Sequence, residues 1–323
     1  MEELFSSPEL SEFPLSLHLA MIQDRVRMEA YVAAMQTLIK PEHTVADVGT
    51  GTGVMAMLAA RCGARAVFGL ERSKMVDYAS KITALNCPEA PITYLSRDVL
   101  SDDLSDIQAD ILVCELLGNF GIDENMIEVL STTRQKILKP GGQIIPAALE
   151  LVVAPVQCTR AYRDVASWRR REWDIDFSPL QQLAYNAVYQ ITSEPVRLLA
   201  QPQILKTVDF ATVTEPSRSS TTCFDVQENG TLHGIAGWFR CTLAPGQVLD
   251  TGPKQPATHW GQVLFPIGDP LRVEPGAAVE FEFTEQTVGL RVRWHWRGSI
   301  RSPTRSKCLS RFSYAAVREF PEL

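Results

Sequence analysis

Residues 44–56 read Thr44-Val45-Ala46-Asp47-Val48-Gly49-Thr50-Gly51-Thr52-Gly53-Val54-Met55-Ala56. An apolar, strand-like run (Thr44–Val48) meets three glycines in five residues, then a helix-like segment, Val54–Arg61. Glycines at a strand-to-helix turn let the backbone approach a ligand, and the helix N-terminus adds unpaired N–H groups. Working outward, the pattern predicts strands at Ala66–Glu71, Ile92–Leu95, Ile111–Glu115 and Gly142–Ile145, with helices at Lys74–Leu85 and Asn125–Leu138. Upstream, Ile22, Val26, Ala30 and Ala33 recur at helical spacing and predict a leading helix. Strands separated by helices of this length imply a parallel sheet covered on both faces, an α/β arrangement. Lys139-Pro140-Gly141-Gly142 predicts the turn into the last of these strands.

After Pro146 the pattern changes. Leu149–Val153, Gln203–Val208, Ile235–Leu243, Gly261–Phe265, Ala278–Thr284 and Val288–Trp296 read as strands separated by turn residues, the signature of an antiparallel barrel or sandwich. A polar segment bearing Trp and Arg, about 160–190, reads as a helical insertion that protrudes from the strands. The division expected is residues 1–146 for the N-terminal helices and α/β domain, and 147–323 for the β domain with its insertion. Asn229-Gly230 predicts a hairpin turn between Phe224-Asp225-Val226 and Ile235–Phe239 rather than a glycosylation site.

Composition narrows the function classes. Hydrophobic residues make up 45% of the 323 and charged residues 21%, as in soluble globular proteins of two domains. The net charge of −7 weighs against wrapping nucleic acid and suits a cationic partner. No apolar run approaches the ~20 residues of a membrane-spanning helix, and the N-terminus lacks the basic and apolar parts of a signal peptide. Seven scattered cysteines without a C-x-x-C predict a reducing, cytoplasmic setting and no metal site.

Two cofactors fit the glycine loop. Gly51-x-Gly53-x-x-Ala56 satisfies the dinucleotide fingerprint, with Glu71 as the ribose acid. The extra Gly49 and the preceding Asp47 give D-x-G-x-G-x-G, the pattern of S-adenosylmethionine (SAM) methyltransferases, and favour that cofactor. On this reading Asp47 anchors its amino acid portion and Glu71 its ribose hydroxyls. Asp98 and Val99 face the adenine, and Arg27 is placed to pair with the cofactor carboxylate.

The predicted strand Ile111–Glu115 runs into Glu115-Leu116-Leu117-Gly118-Asn119-Phe120-Gly121-Ile122-Asp123-Glu124, which sets two carboxylates around a glycine-bearing loop. Acids at a helix start interact favourably with its dipole, which accounts for Glu124 but not for Glu115 at the end of a buried strand. This loop resembles the double-glutamate loop of the protein arginine N-methyltransferases. Thr258-His259-Trp260 resembles their T-H-W loop, and Met21-Ile22-Gln23-Asp24-Arg25-Val26-Arg27 is similar to their M-L-x-D-x-V-R helix. The E-L-L-G-x-F wording is nearer the symmetric-dimethylating branch; T-H-W and the methionines are nearer the asymmetric one. One departure stands out: Pro8-Glu9-Leu10-Ser11-Glu12 occupies the place of the family's Tyr-Phe-x-x-Tyr motif.

The resemblance implies a SAM-binding Rossmann-like domain fused to a β-barrel, and a head-to-tail homodimer built by an arm at about 160–190. It implies that Arg27, Asp47, Gly49, Gly51, Glu71, Asp98 and Val99 hold SAM, leaving S-adenosylhomocysteine as product. Glu115 and Glu124 are then the guanidinium clamp, with Asp24 and His259 beside them and Met21, Met126 and Trp260 at the acceptor. A guanidinium stays protonated at ordinary pH and is a poor nucleophile. Two carboxylates that grip its N–H groups localise its positive charge and aim the remaining nitrogen at the methyl group; such positioning contributes ~7–11 kcal/mol. His259 paired with Asp24 offers a route for the departing proton. The expected activity is N-methylation of arginine in a protein or peptide, giving ω-monomethyl or asymmetric dimethyl products. Free L-arginine or another small guanidino compound is the alternative substrate, and a non-catalytic dimeric scaffold the alternative of another class.

Overall fold

Thr44–Val48 forms strand β1 and is buried at every residue. The structure is a computed structural model describing residues 14–192, 195–214, 219–288 and 291–319; Pro8–Phe13, the site of the departing motif, lies outside them. Two helices precede the strand, α1 (Leu15–Gln23) and α2 (Arg25–Leu38). After β1 come α3 (Val54–Arg61), β2 (Ala66–Glu71), α4 (Met75–Asn86), β3 (Ile92–Ser96), β4 (Ala109–Cys114), α5 (Met126–Ile137) and β5 (Leu138–Ile145). The five strands form one parallel sheet in the order β3-β2-β1-β4-β5. β1 lies at its centre, covered on both faces, so it has no solvent side to alternate and reads as a continuous apolar run.

That strand order places the site. The chain builds outward from β1 through β2 to β3, then crosses back to add β4 on the other side. Val48 is in register with both Leu70 and Cys114, so Gly49, Glu71 and Glu115 emerge side by side at the C-terminal edge. Such a reversal opens the crevice where open α/β sheets bind ligands.

Three expectations need correction here. The leading helix is broken at Asp24, whose Oδ1 accepts the Arg27 N–H at 3.0 Å and caps α2. The buried stripe is accordingly Arg27, Tyr31, Ala34, Met35 and Leu38, while Ile22 is exposed. Lys139-Pro140-Gly141-Gly142 is not a turn but part of β5. Gly141 takes φ +78° and the register with β4 slips between Ala109 and Ile111, a bulge that an edge strand tolerates together with its proline. Asn229-Gly230 does not close a hairpin: Ser219–Asp225 pairs with Ala278–Val288, whereas Gly230–Ala244 belongs to a different sheet.

The second half is antiparallel. A seven-stranded sheet is built on Ala148–Gln157, Gly230–Ala244 and Gln262–Val273; a four-stranded sheet contains Ser219–Asp225, Ala278–Val288, Arg291–Arg301 and Cys308–Glu319. Between them lies an aromatic core that includes Phe265, Phe281, Phe283, Trp294 and Trp296. The insertion holds α6 (Thr159–Ala166), a two-residue hairpin (Arg171–Glu172 with Ile175–Asp176) and α7 (Gln181–Tyr185). The hairpin turns at Trp173-Asp174, both left-handed, and leaves Trp173 93% exposed. Arg169 and Tyr185 both bond Asp269 and latch this arm to the barrel.

Candidate active site

The glycine loop is shaped as its composition demands. Gly49, Gly51 and Gly53 have φ of +72°, +51° and +78°, where a side chain would be strained. The Gly51 N–H donates to Glu71 Oε2 at 3.0 Å and the Ser73 N–H to Oε1 at 2.9 Å. Asp98 Oδ1 accepts the Leu100 N–H at 2.8 Å with Arg72 3.8 Å from its other oxygen, and Val99 is buried beside it. Glu71 and Asp98 thus follow the glycines along the edge formed by β1, β2 and β3. Asp47 is different. It is fully enclosed, accepts the Thr50 hydroxyl at 2.5 Å, and burial pushes its carboxyl up to about 7 against the pull of that bond and of the Ala56 N–H. It acts as a strut within the loop.

The sequence reading passed over His18 of α1. Its imidazole lies 3.5 Å from where a Cβ on Gly51 would sit, so α1 closes over the glycine loop. Burial, then the nearby charges of Glu71 and Arg27, set its pKa, which is lowered overall. The available signal was one polar residue inside the apolar stretch Leu17–Met21.

Glu115, one residue beyond β4, is ion-paired with Arg27. Arg27 Nε donates to Glu115 Oε2 at 2.7 Å and Nη2 donates to the same oxygen, with both side chains buried. Arg27 Nη1 donates to the Met21 carbonyl at 3.0 Å. The guanidinium assigned to the cofactor carboxylate therefore gives its forked face to the first glutamate. Glu124 is partly buried at the far end of the loop, just before α5. Burial, then the charges of Glu115, Asp47 and Glu124, drive the Cys114 thiol well up.

The T-H-W loop meets this assembly from the barrel. Asp24 Oδ2 accepts both the His259 N–H and Nδ1, each at 2.8 Å. Burial alone would raise the Asp24 carboxyl, but the bonds from His259 and from the Arg27 N–H outweigh it and hold it below its ordinary value. With Asp24 ionised, Nδ1 carries the hydrogen and Nε2 is the imidazole's acceptor. Trp260 Nε1 donates to the Leu117 carbonyl at 2.5 Å, and Asn119 Nδ2 donates back to the Trp260 carbonyl at 3.1 Å. Trp260, expected at the acceptor, is instead buried and braces the double-glutamate loop; Met126, expected there too, is sealed in the core. Met21 remains partly accessible. Phe120, which the sequence reading left unassigned, plugs the loop into the barrel, with ring centroids 5.3, 5.5 and 5.8 Å from Phe265, Phe283 and Trp294.

Residues 147–293 match the family profile described as the arginine methyltransferase oligomerization subdomain, and residues 29–174 match that of ribosomal protein L11 methyltransferase. Protein arginine N-methyltransferase 8-B of Danio rerio is 30% identical over 273 residues, covering 81% of this chain and 64% of that protein. The chain thus spans just under two thirds of this relative's length. A probable protein arginine N-methyltransferase 6 of Arabidopsis thaliana is 27% identical, covering 84% of this chain and 72% of the relative. Among solved structures, the Trypanosoma brucei PRMT1 enzyme–prozyme heterotetrameric complex with AdoHcy matches with a TM-score of 0.84 at 25% identity, over 95% of this chain and 99% of that one. The uniquely open conformation of Arabidopsis thaliana protein arginine methyltransferase 10 shares the fold, with a TM-score of 0.81 at 24% identity over 95% and 98%. With both halves matched in order and the double-glutamate, T-H-W and glycine loops converging on one crevice, the chain is similar to the protein arginine N-methyltransferases through both of its halves.

Proposed function

We propose that this chain transfers methyl groups from SAM to the guanidino nitrogen of arginine in a protein or peptide. The observation that carries the reading is Glu115: a buried carboxylate at the strand-order reversal, one strand away from the glycine loop and held in place by Arg27. A SAM-sized nucleoside fits the donor set, because left-handed glycines keep Cβ atoms out of the crevice and Glu71 is fixed at the ribose position by the Gly51 and Ser73 N–H groups. SAM, when bound, supplies an electrophilic methyl group and leaves as S-adenosylhomocysteine.

The rest falls to the chain's own residues. Glu115 and Glu124 grip the guanidinium N–H groups, localise its charge, and exclude all but one orientation of the attacking nitrogen. His259 Nε2, made an acceptor by the Asp24 bond on Nδ1, takes the proton the nitrogen must shed. His18 on α1 closes over the glycine loop.

We also propose that two copies assemble through the arm, whose exposed Trp168, Trp173, Ile175 and Leu183 support an interface. A cytoplasmic setting accords with seven cysteines left as free thiols. Mass spectrometry after incubation with SAM and either an arginine-rich peptide or free L-arginine tests the activity. Methylation of the peptide is expected; transfer to free arginine alone moves the substrate class, and no transfer to either overturns the reading.

A further inference from the structure

Asp123 immediately precedes the second glutamate of the clamp, and it is buried. Its Oδ2 accepts the Asn119 N–H at 3.0 Å and its Oδ1 the Phe120 N–H at 3.1 Å. The carboxylate therefore reaches back across its own loop to hold two successive amides four and three residues earlier. Within the same loop the Gly121 N–H donates to the Gly118 carbonyl at 2.8 Å, with Gly121 at φ +79°. Gly118 leaves the room this requires: a Cβ there would lie 2.1 Å from Asp123 Cγ and Oδ1. Gly118 and Asp123 form a matched pair, one supplying the space and the other filling it. The two amides it holds lead straight into the anchors that fix the rest of the loop, the Asn119 side chain on the Trp260 carbonyl and the Phe120 ring in the barrel.

We propose that Asp123 is the positioning residue that sets the separation of Glu115 and Glu124. Its backbone is joined to Glu124 on one side, and its side chain is tied to the anchored stretch next to Glu115 on the other. Without it the loop keeps its Phe120 plug, but the position of Glu124 is no longer fixed. A hydrogen bond to a charged acceptor shifts a local opening equilibrium by roughly 10- to 100-fold. A misplacement of about 1 Å at a reacting centre costs on the order of 100-fold in rate.

The inference rests on the arginine-clamp reading only for its kinetic consequence, so the test has two arms. Hydrogen–deuterium exchange of the full chain, followed over residues 115–126, reads the loop directly. Asp123→Ala is expected to raise exchange of the Asn119 and Phe120 amides by roughly 10-fold or more. Asp123→Asn, which retains a single acceptor oxygen, is expected to fall between and serves if the alanine variant does not fold. Gly118→Ala is expected to loosen the loop by the clash, and Gly118→Ala with Asp123→Ala to recover part of the loss, because the methyl then occupies vacated space. In the kinetic arm, Asp123→Asn is expected to lower kcat with an arginine-rich peptide while the Kd for SAM, measured by calorimetry, stays within about twofold. Unchanged amide protection in Asp123→Ala and Asp123→Asn overturns the proposal. So does a fall in kcat matched by an equal loss of SAM affinity, which would mark general damage. If the wild-type chain methylates nothing while the amides respond as stated, the activity reading fails and the loop-holding role of Asp123 stands.

Discussion

Replacing Asp47 by asparagine should make the chain's stability less sensitive to pH, and the size of the change follows from its burial. Asp47 is 2% exposed, its partners are the Thr50 hydroxyl and the Ala56 N–H, and its carboxyl is pushed from an ordinary 3.8 up to about 7. The folded state therefore holds a proton that the unfolded chain releases. A carboxyl raised in this way contributes stability that is present below about 4 and lost as pH climbs to about 7. The gap corresponds to about 4 kcal/mol at about 1.4 kcal/mol per pH unit. The Asp47→Asn side chain would have the same shape, with an oxygen for the Ala56 N–H and an amide N–H for the Thr50 hydroxyl, but no proton to lose. Urea unfolding of the cofactor-free chain at pH 4.5, 6 and 8 (round values, ~1.5–2 units apart, chosen to bracket the titration) gives the difference between variant and wild type. Groups such as Asp24, whose own titration lies lower, cancel in that difference. The variant should gain on the wild type with rising pH, by several kcal/mol between the ends of the range. A difference that stays flat within about 1 kcal/mol across it would refute the assignment of a buried, proton-holding Asp47.

Three further outcomes follow from named contacts. Arg27→Met leaves Glu115 buried without its cation and should cost about 3–5 kcal/mol in urea unfolding, much of it restored when Glu115→Gln is added; purely additive losses would show that the pair is not coupled. Phe120→Ala removes a ring at 0% exposure packed on Phe265, Phe283 and Trp294, and should lower stability by about 3–5 kcal/mol while also weakening peptide methylation. Trp173→Ala at the arm tip should weaken self-association in sedimentation equilibrium by at least about 10-fold without shifting the unfolding midpoint of the dilute chain; unchanged association would remove Trp173 from the interface.

The parts of the site that were legible in the sequence are those whose requirement is local. Three glycines in five residues after an apolar strand demand left-handed backbone, and the structure has it at all three. Glu71 ends β2 and Asp98 follows β3, as expected. Asp24 and His259 were paired from resemblance alone and meet at 2.8 Å. What the sequence withheld depends on partners far along the chain. Phe120 reads as one more apolar loop residue until the barrel strands bring Phe265 and Trp294 around it. The stripe on α2 escapes a periodicity count because arginine scores as polar, and Glu115, 88 residues away, explains why Arg27 is buried.

That pairing also sharpens what the clamp can do. A carboxylate offers about four acceptor positions. Among the described bonds, Glu115 uses two on Oε2 for Arg27 Nε and Nη2, and one on Oε1 for the Leu117 N–H at 3.2 Å. About one is left, on Oε1. On the proposed reading, a guanidinium entering the crevice donates one hydrogen bond to Glu115 and finds its second carboxylate contact at Glu124. In that proposal Glu115 is the fixed jaw, immobilised by Arg27 and by its place beside β1, and Glu124 the jaw whose position a loop decides. Substitutions that disturb only the loop should accordingly spare SAM binding and impair the use of arginine.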